Sequence, residues 1–346
     1  MFDLSEEQTM LQDMLARFWS GPAETQTWDA LADLGVIGAC FPESHGGFGG
    51  TGRDIAVVFE EHGRACAAEP LIDMGLLPGI LLRAAEQDLK PLIAGKTRYA
   101  LAHGEAASRY DLDWVETRFD GTLSGEKTVV VGAMTADKIL VTARHSGVAG
   151  DAAGIGLYQV DAGAAGLTST PYRTADGAQA ADLSFTSVSA TPVLTEAYPA
   201  LQTAWAAGAL AQSADCLGAM AQAAHMTREY LTTRQQFGRP IGSFQALAHR
   251  LADMMLAVEQ ARSAVLMAAA AFDTAERDLN IAACKNLIGR MGRQVAEDAI
   301  QMHGGIGMTE EYALGDLAKR ITMADHRFGD TDHHLTAFLD LSGATS

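Results

Sequence analysis

The spacing of apolar residues changes twice along this chain, and that change limits its fold more than any other feature. Near the N-terminus, Leu11, Met14, Leu15 and Phe18 lie at the intervals of one helix face. From about Tyr99 onward, short runs rich in β-branched residues are instead bounded by glycines. Helical spacing returns for the rest of the sequence. The pattern predicts helices, then strands, then helices.

The central β-rich segment contains two long runs, at residues 122–131 and 138–143. Shorter strands are expected at 155–160, 167–170 and 183–185. Strands this short, at a spacing of roughly ten residues, are typical of a small antiparallel barrel or sandwich.

The C-terminal segment has the spacing of long bundle helices. Its clearest example steps by four and three residues through Leu247, Leu251, Met254, Val258, Ala261 and Val265. We therefore predict an α+β protein that is mainly α. Its parts are an N-terminal helical domain at residues 1–97, a central small antiparallel β-barrel or sandwich at 98–196, and a C-terminal four-helix bundle at 197–346.

The charge balance excludes several kinds of partner. The 346 residues carry 25 basic and 43 acidic side chains, for a formal net charge of −18, and 48% of them are hydrophobic. That hydrophobic share argues for a large core and against disorder. An acidic surface repels nucleic acid and anionic lipid, so neither is an expected partner.

The sequence also indicates a compartment. No signal peptide or membrane span is expected, because the first residues lack a basic region and no run of about 18 apolar residues occurs. Cys40, Cys66, Cys216 and Cys284 form no CxxC pair, which favours reduced thiols. We expect a soluble cytoplasmic protein.

Histidines and aspartates cluster near the C-terminus but do not predict a metal site. They are Asp325, His326, Asp330, Asp332, His333 and His334. Their spacing matches no standard set of ligands. Polar C-terminal segments commonly have this composition, so no metal is expected.

The first segment that carries chemistry is the loop at residues 233–245. Two glycines and a proline separate two strongly helical stretches here, and the loop holds Arg234 and Arg239. Arginine presents a planar fork of donors that suits phosphate, so this loop is a candidate pyrophosphate clamp. An ordinary surface turn between helices has the same composition, and the residues alone do not decide between the two.

A second such segment is the glycine-rich turn at 301–312. Gly304, Gly305 and Gly307 let a backbone approach a ligand and expose amide donors. The alternative is a turn that only ends a helix. A lone histidine such as His303 is more often a packed or capping side chain than a catalyst.

Together these segments resemble the acyl-CoA dehydrogenase family of flavoproteins, and the resemblance runs nearly end to end. The family's Arg-x-x-Phe-Gly stands at 234–238, and its Gln-x-x-Gly-Gly-x-Gly stands at 301–307. Further blocks resemble the family at 4–8, 28–50, 60–64 and 123–127. The order and spacing of the blocks are far more specific than any one of them.

The resemblance implies that the protein binds FAD at a subunit interface and oxidises an acyl-CoA thioester to the trans-2-enoyl thioester. A carboxylate removes the α-proton while the β-hydrogen leaves as hydride to the flavin. The resemblance also implies which residues bind the cofactor. They are Arg234 and Gln235 at the pyrophosphate, Phe237, Phe244 and Gln245 in the same motif, Gln301, Gly304 and Gly305 at the adenosine half, and Thr331 at the flavin.

The catalytic carboxylate of the family has no direct counterpart here. Its usual position falls on Gly329, and Asp330 follows it. A second position, used by some members, falls at 206–209, where no carboxylate occurs. Asp330 is thus the candidate base of this chain, and its alternative role is to cap a turn.

Two motifs around the flavin ring also depart from the family. Residues 103–108, His-Gly-Glu-Ala-Ala-Ser, replace the family's Thr-Glu-Pro-x-x-Gly-Ser-Asp. Val129, Val130 and Val131 replace its Trp-Ile-Thr. The surroundings of the isoalloxazine ring therefore differ from the family pattern.

Two explanations of these departures remain open. In the first, Asp330 is a displaced base. In the second, the chain is half of a two-gene heterotetramer whose partner carries the carboxylate, as in the short subunits that act on steroid side-chain CoA thioesters. The family implies a homotetramer or an α2β2 heterotetramer that takes part in lipid or steroid degradation, with an electron-transfer flavoprotein as the electron acceptor.

Two rival functions follow from the same residues. One is an acyl-CoA oxidase or a nitroalkane-oxidising flavoenzyme on this scaffold, which would consume oxygen. The other is a non-catalytic subunit that completes FAD sites formed mostly by a partner chain. Neither alternative identifies the acyl group, because the selectivity of such a pocket depends on its shape.

Overall fold

The computed structural model describes residues 4–309 and 311–343. The N-terminal part is helical. It contains α1 (Glu6–Trp19), α2 (Trp28–Asp33), α3 (Gly52–Arg64), α4 (Leu77–Ala84) and α5 (Lys90–Ile93). A π-helical turn, Ile72–Leu76, leads into α4.

Short polar side chains fix where α1 and α3 begin. The Ser5 hydroxyl accepts the Gln8 N–H at 3.1 Å, and the Gln8 side chain accepts the Ser5 N–H at 3.2 Å. Thr51 and Asp54 form the same reciprocal pair at the start of α3. Each pair satisfies amide donors that a helix terminus leaves without a partner.

The central part is a single mixed sheet. Its strands are β1 (Tyr99–Ala102), β2 (Arg118–Phe119), β3 (Leu123–Val131), β4 (Lys138–Arg144), β5 (Ile155–Asp161), β6 (Leu167–Arg173), β7 (Gln179–Val188) and β8 (Thr191–Leu194). One face of the sheet buries a cluster of aliphatic and aromatic side chains that includes Leu123, Val141 and Phe185.

Of the two predicted forms, a small antiparallel barrel or a sandwich, the barrel is not found, because the sheet does not close on itself. The strand order is β6-β7-β3-β2-β4-β5-β8, with β1 beside β4, so β6 and β8 remain as edges. Both β1 and β2 pair with β4 in parallel. The alternation of residues indicates strands but not their directions. Pro171 within β6 has no N–H to donate, which suits an edge strand.

Helices resume after β8. They are α6 (Tyr198–Thr233), α7 (Gln245–Ala271), α8 (Arg277–His303), α9 (Leu314–Asp325) and α10 (Thr331–Leu341). A hairpin of two short strands, β9 (Gln235–Gln236) and β10 (Arg239–Pro240), lies between α6 and α7. The prediction of a mainly α protein with a central sheet and C-terminal helices is confirmed.

By length and composition alone, α7 is apolar enough to cross a membrane, and 39% of its most apolar window is buried. It packs against α3 and α8. Its Arg262 forms an ion pair of 2.6 Å with Glu60 on α3. Core helices of soluble proteins pass the same test of length and composition.

Two compact units divide the chain differently from the three predicted segments. Among the described residues, the first unit comprises those up to 26, then 51–67, and those from 209 onward. The second comprises 27–50 and 68–208. The N-terminal helices are therefore shared between both units rather than forming one of their own.

Within the first unit, α3 and α6 approach closely at two glycines. A Cβ atom at Gly63 would lie 1.8 Å from the Asp215 carbonyl oxygen, and one at Gly218 would lie 1.9 Å from that of Glu60. A larger residue at either position would force the two helices apart.

Candidate functional site

The hairpin after α6 presents an aromatic side chain to solvent. Gln236 pairs with Arg239, and the turn between them holds Phe237 at φ +52° and Gly238 at φ +78°. Phe237 is 90% exposed. An aromatic residue in the left-handed region and in solvent is costly, and such strain is a common mark of ligand-binding segments.

Two aromatic rings and a guanidinium lie together at this hairpin. The Phe237 ring meets the Phe244 ring edge-on, with centroids 6.0 Å apart. The Arg239 guanidinium lies 4.1 Å from the Phe244 centroid. The site therefore combines flat apolar rings with a cation held over one of them.

The backbone around Arg234 is fixed while its side chain is exposed. The Arg234 N–H donates to the Tyr230 carbonyl at 2.8 Å, and its own carbonyl accepts the Ile241 N–H at 2.9 Å. Gln235 and Gln245 are exposed as well. The predicted pyrophosphate contacts thus sit on an ordered loop with their side chains open to solvent.

The glycine turn after α8 leaves its backbone uncovered. Gly304 has φ +65° and ψ −142°, a conformation that is essentially restricted to glycine. A Cβ atom at Gly304 or Gly305 would meet no atom within 4 Å. Gln301, in the last turn of α8, is exposed beside them.

His303 joins the two segments. Its ring stacks on Tyr230, with centroids 4.6 Å apart and planes 24° apart. Its Nδ1 lies 2.8 Å from the Ala299 carbonyl, and its Nε2 lies 3.2 Å from the Tyr312 hydroxyl. Burial lowers the pKa of His303, so the ring is neutral at pH 7 and acts as packing.

Tyr230 lies shortly before the hairpin, and His303 directly precedes the glycine turn. Because the rings of these two residues stack on each other, both segments lie at one end of the first unit. This end offers two exposed arginines, an edge-on pair of aromatic rings and an open glycine backbone. Arginine forks and exposed amides suit a diphosphate, and flat rings suit an aromatic base. The residues present therefore fit a dinucleotide such as FAD.

Thr331 lies elsewhere in the same unit. Its N–H and hydroxyl both donate to Asp325 Oδ1, at 3.0 and 2.8 Å. Its carbonyl accepts from Asn286 Nδ2 at 2.9 Å. Asn286 precedes Gln301 by fifteen residues of α8, or about 22 Å along the axis. The structure does not bring Thr331 to the hairpin and the glycine turn.

The predicted base, Asp330, is the N-cap of α10. Its Oδ1 accepts the His333 N–H at 2.8 Å. The preceding Gly329 has φ +99°, and a Cβ atom there would lie 2.5 Å from His334 Nε2 and 2.6 Å from His333 Cδ2. A side chain at the family's glutamate position would therefore require a strained backbone and a shift of the neighbouring histidine rings.

The segment that replaces the flavin-covering motif forms a buried ion pair, which sequence reasoning missed. Lys127 Nζ donates to Glu105 Oε1 at 2.7 Å, to the His103 carbonyl at 2.9 Å and to Thr142 Oγ1 at 3.1 Å. Burial lowers the pKa of Lys127 to about 8, against the attraction of Glu105. Burial raises the pKa of Glu105, but the charge and hydrogen bond of Lys127, with hydrogen bonds from the Glu116 N–H and the Thr117 hydroxyl, outweigh it and lower the pKa.

His103 belongs to the same buried cluster. Its Nδ1 lies 3.0 Å from Thr142 Oγ1, and its ring meets Trp205 edge-on at 5.2 Å. Burial, with Lys127 nearby, lowers the pKa of His103 to about 3. The residue is therefore a neutral core histidine. The one sequence signal for this cluster was the change of motif at residues 103–108.

The second replaced motif contains a strained residue. Val129 has φ +55°, which is rare for a β-branched side chain, and it is 55% exposed. Its N–H donates to Asp182 Oδ1 at 3.1 Å, and the Tyr172 hydroxyl donates to the same oxygen at 2.8 Å. The register of β3 shifts between Lys127 and Val130. An exposed valine therefore stands where the family has a tryptophan.

Sequence reasoning also missed a charged network inside the first unit. Asp215 binds Arg320 through both carboxylate oxygens, at 2.7 and 2.6 Å, and His62 Nδ1 at 2.7 Å. Arg320 also donates to the Ala67 carbonyl at 2.7 Å. The network joins α3, α6 and α9 inside the unit, so its role is structural. Among the described residues, no group of three histidine, cysteine or acidic side chains is arranged to hold a metal ion.

Comparisons with known proteins identify the family. The sequence-family model of the acyl-CoA dehydrogenase N-terminal domain matches residues 5–91 of this chain. The family model of the C-terminal domain matches residues 198–337. The acyl-CoA dehydrogenase IpdE2 of Mycobacterium tuberculosis is 29% identical, over 91% of this chain and 91% of its own length.

Two solved structures show the same fold. The Tcur3481-Tcur3483 steroid ACAD, solved as a variant, is 30% identical with a TM-score of 0.87, and the match covers 99% of each chain. The FAD complex of PigA matches the full length of both chains with a TM-score of 0.89 at 21% identity, which shows the fold alone. The protein belongs to the oxidoreductases, and within them to the acyl-CoA dehydrogenase family.

Proposed function

We propose that the chain is a subunit of an FAD-dependent dehydrogenase that converts a CoA thioester to its 2-enoyl form, with a steroid side-chain CoA ester as substrate. The observation that carries the proposal is the exposed end of the first unit, where Arg234 and the Phe237 hairpin meet the open Gly304–Gly305 backbone. The steroid substrate follows from the likeness to the Tcur3481-Tcur3483 protein.

In this proposal, Arg234 and Gln235 bind the diphosphate of FAD, with Phe237, Phe244 and Gln245 beside them. Gln301 and the backbone of Gly304 and Gly305 bind the adenosine half. FAD, when bound, supplies an acceptor for the hydride that leaves the β-carbon. All of these groups except the half-buried Phe244 are exposed, which agrees with a cofactor that lies between subunits.

We further propose that the base comes from a second family member. Asp330 is occupied as a helix cap, a side chain at Gly329 would require a shift of the neighbouring histidine rings, and residues 206–209 carry no carboxylate. A two-chain assembly like that named for the Tcur3481-Tcur3483 protein would supply the missing group. We propose a cytoplasmic α2β2 heterotetramer with an electron-transfer flavoprotein as acceptor.

Co-expression tests this proposal. The chain is purified alone and together with a longer family member that carries the glutamate, and flavin content and dehydrogenation of a steroid CoA ester are measured. We expect flavin and activity in the complex only. Aerobic assays without an electron acceptor should show no oxygen consumption, which separates a dehydrogenase from an oxidase.

Asp330→Asn discriminates between the two sources of the base. Asparagine caps a helix about as well as aspartate, so the substitution removes the charge and keeps the fold. We expect the complex to retain its activity. Full activity of the isolated chain that is lost in Asp330→Asn would show instead that Asp330 is the base.

A further inference from the structure

Two buried side chains hold the segment that joins α9 to α10. Lys285 of α8 is 1% exposed, and its Nζ donates to the Ala324 carbonyl at 2.6 Å. His334 of α10 is 7% exposed, and its Nε2 lies 2.8 Å from the Phe328 carbonyl. Ala324 is in the last turn of α9, and Phe328 is in the connection to α10. Each side chain therefore fixes one backbone carbonyl of residues 324–328.

One ring nitrogen of His334, the buried Nδ1, has no hydrogen-bond partner in the described part of the chain. A carbonyl oxygen only accepts, so Nε2 carries the proton and donates it to Phe328. Burial lowers the pKa of His334 to about 4, so the ring is neutral at pH 7 and Nδ1 is a bare acceptor. A buried acceptor without a donor is rare in folded proteins and commonly marks a bound water or ion.

The Lys285 ammonium has donors left over. It carries three N–H groups. Among the residues that the structure describes, its one hydrogen bond is to Ala324. Burial lowers the pKa of Lys285 to about 8, so the side chain is largely charged at pH 7. Because a buried charge loses its hydration, the remaining N–H groups need acceptors. Lys285 thus requires an acceptor, whereas His334 requires a donor.

The two side chains come from helices that pack against each other. Asn286, next to Lys285, donates to the Thr331 carbonyl at 2.9 Å, and Thr331 lies one turn before His334 on α10. A Cβ atom at Gly289, one turn after Lys285, would overlap the Thr331 hydroxyl. Lys285 and His334 are close enough for the charge of the lysine to contribute to the lowered pKa of the histidine.

These two requirements define the chemistry of the ligand. A group between Nζ and Nδ1 has to accept a hydrogen bond from the ammonium and donate one to the imidazole. Chloride cannot donate, and a cation cannot accept and is repelled by the lysine. Water does both, and buried waters typically bond to polar groups that would otherwise be unsatisfied.

We propose that a buried water molecule bridges Lys285 Nζ and His334 Nδ1. Hydrogen bonds would then run without a break from the Ala324 carbonyl, through both side chains and the water, to the Phe328 carbonyl. This arrangement would hold the segment that leads into α10 and keep Asp330 in place as the cap of that helix.

A crystal structure of the purified chain or of its complex, at a resolution that shows ordered waters, tests the proposal. We expect a peak of electron density within hydrogen-bond distance of both Nζ and Nδ1. His334→Gln should lose the peak, since a glutamine amide can still donate to Phe328 but has no acceptor at the position of Nδ1. Lys285→Met removes the other contact and should lose it as well.

His249→Gln is the matched control, because it makes the same substitution at an exposed position of α7. It should keep the peak, and thermal unfolding verifies that all three variants fold. The absence of a peak in the unchanged protein, or a direct contact between Nζ and Nδ1, would overturn the proposal. So would a peak that both His334→Gln and Lys285→Met retain. The measurement requires neither FAD nor turnover, so its outcome is independent of whether the dehydrogenase function holds.

Discussion

Gly329 shows how a single residue decides what this chain can do. Its left-handed backbone and its closeness to the His334 ring disfavour the glutamate that the family carries there. We predict that Gly329→Glu restores no activity and lowers the free energy of unfolding by about 2–3 kcal/mol, since it adds backbone strain and a steric clash. Urea denaturation measures the loss.

Gly177→Glu is the control for this substitution. Gly177 also has a left-handed φ, +88°, but a Cβ atom there would meet nothing within 4 Å. Gly177→Glu should therefore lower the free energy of unfolding less than Gly329→Glu does. The difference between the two losses measures the clash with His334. Equal losses in both variants would show that strain alone matters.

His334 makes the stability depend on pH. Burial lowers the pKa of His334 to about 4 in the folded protein, whereas a histidine in the unfolded chain has a pKa near 6.5. Between these values the unfolded state binds a proton that the folded state does not, so stability is full above pH 6.5 and falls as the pH drops toward 4. The loss is about 3 kcal/mol at most, at 1.36 kcal/mol for each pH unit.

Chemical denaturation at pH 7.0, 5.5 and 4.5 measures this loss. His334→Asn should make the free energy of unfolding depend less steeply on pH. The dependence that remains comes from His103, whose pKa is also lowered. His249→Asn, at an exposed position, should leave the slope unchanged. A slope identical in all three proteins would contradict the assignment.

At the scale of elements, the Glu105–Lys127 pair ties β3 to the segment after β1. Removing one partner leaves a charge buried without its counterion, and we expect Lys127→Met to cost about 3–5 kcal/mol. Lys127→Met with Glu105→Leu should cost less than the sum of the single substitutions, with a coupling of about 1–3 kcal/mol. If the losses in the free energy of unfolding were additive, the two side chains would not stabilise the fold as a pair.

The elements themselves were largely readable from the sequence, and their arrangement was not. Residues 122–131 and 138–143 were predicted as strands, and β3 and β4 occupy 123–131 and 138–144. Alternating side chains report one strand at a time, whereas the parallel pairing of β1 and β2 with β4 depends on contacts between distant segments. The sheet's open edges could not be predicted for that reason.

The same limit applies to the site. Arg234 and Gly304 were recognisable because the motifs that contain them resemble those of the family in order and spacing, whereas each loop by itself could have been an ordinary turn. The Asp215–Arg320 pair joins residues 105 positions apart and shows no local pattern. Asp330 illustrates the opposite case, since a capping role is predictable from its sequence neighbours and the structure has it as the N-cap of α10.

At the scale of the whole molecule, an acidic protein presents a basic site to a dianionic cofactor. The net charge of −18 repels FAD at a distance, while at the proposed site the exposed Arg234 and Arg239 would attract it close to the hairpin. Salt screens both effects over about 8–10 Å at physiological ionic strength, and the arginine–phosphate contact that we propose would dominate once the cofactor is bound. Binding should therefore weaken as salt rises.

We predict that the Kd for FAD increases with sodium chloride in the assembled protein and that Arg234→Gln both raises this Kd about tenfold and flattens its dependence on salt. Flavin fluorescence during titration measures both quantities. Arg293→Gln, which removes an exposed arginine of α8 outside the site, should shift neither. Because the Arg234 side chain is exposed, the thermal stability of the FAD-free protein should remain the same, so that a loss of affinity reports the contact with the cofactor and not a loss of folding.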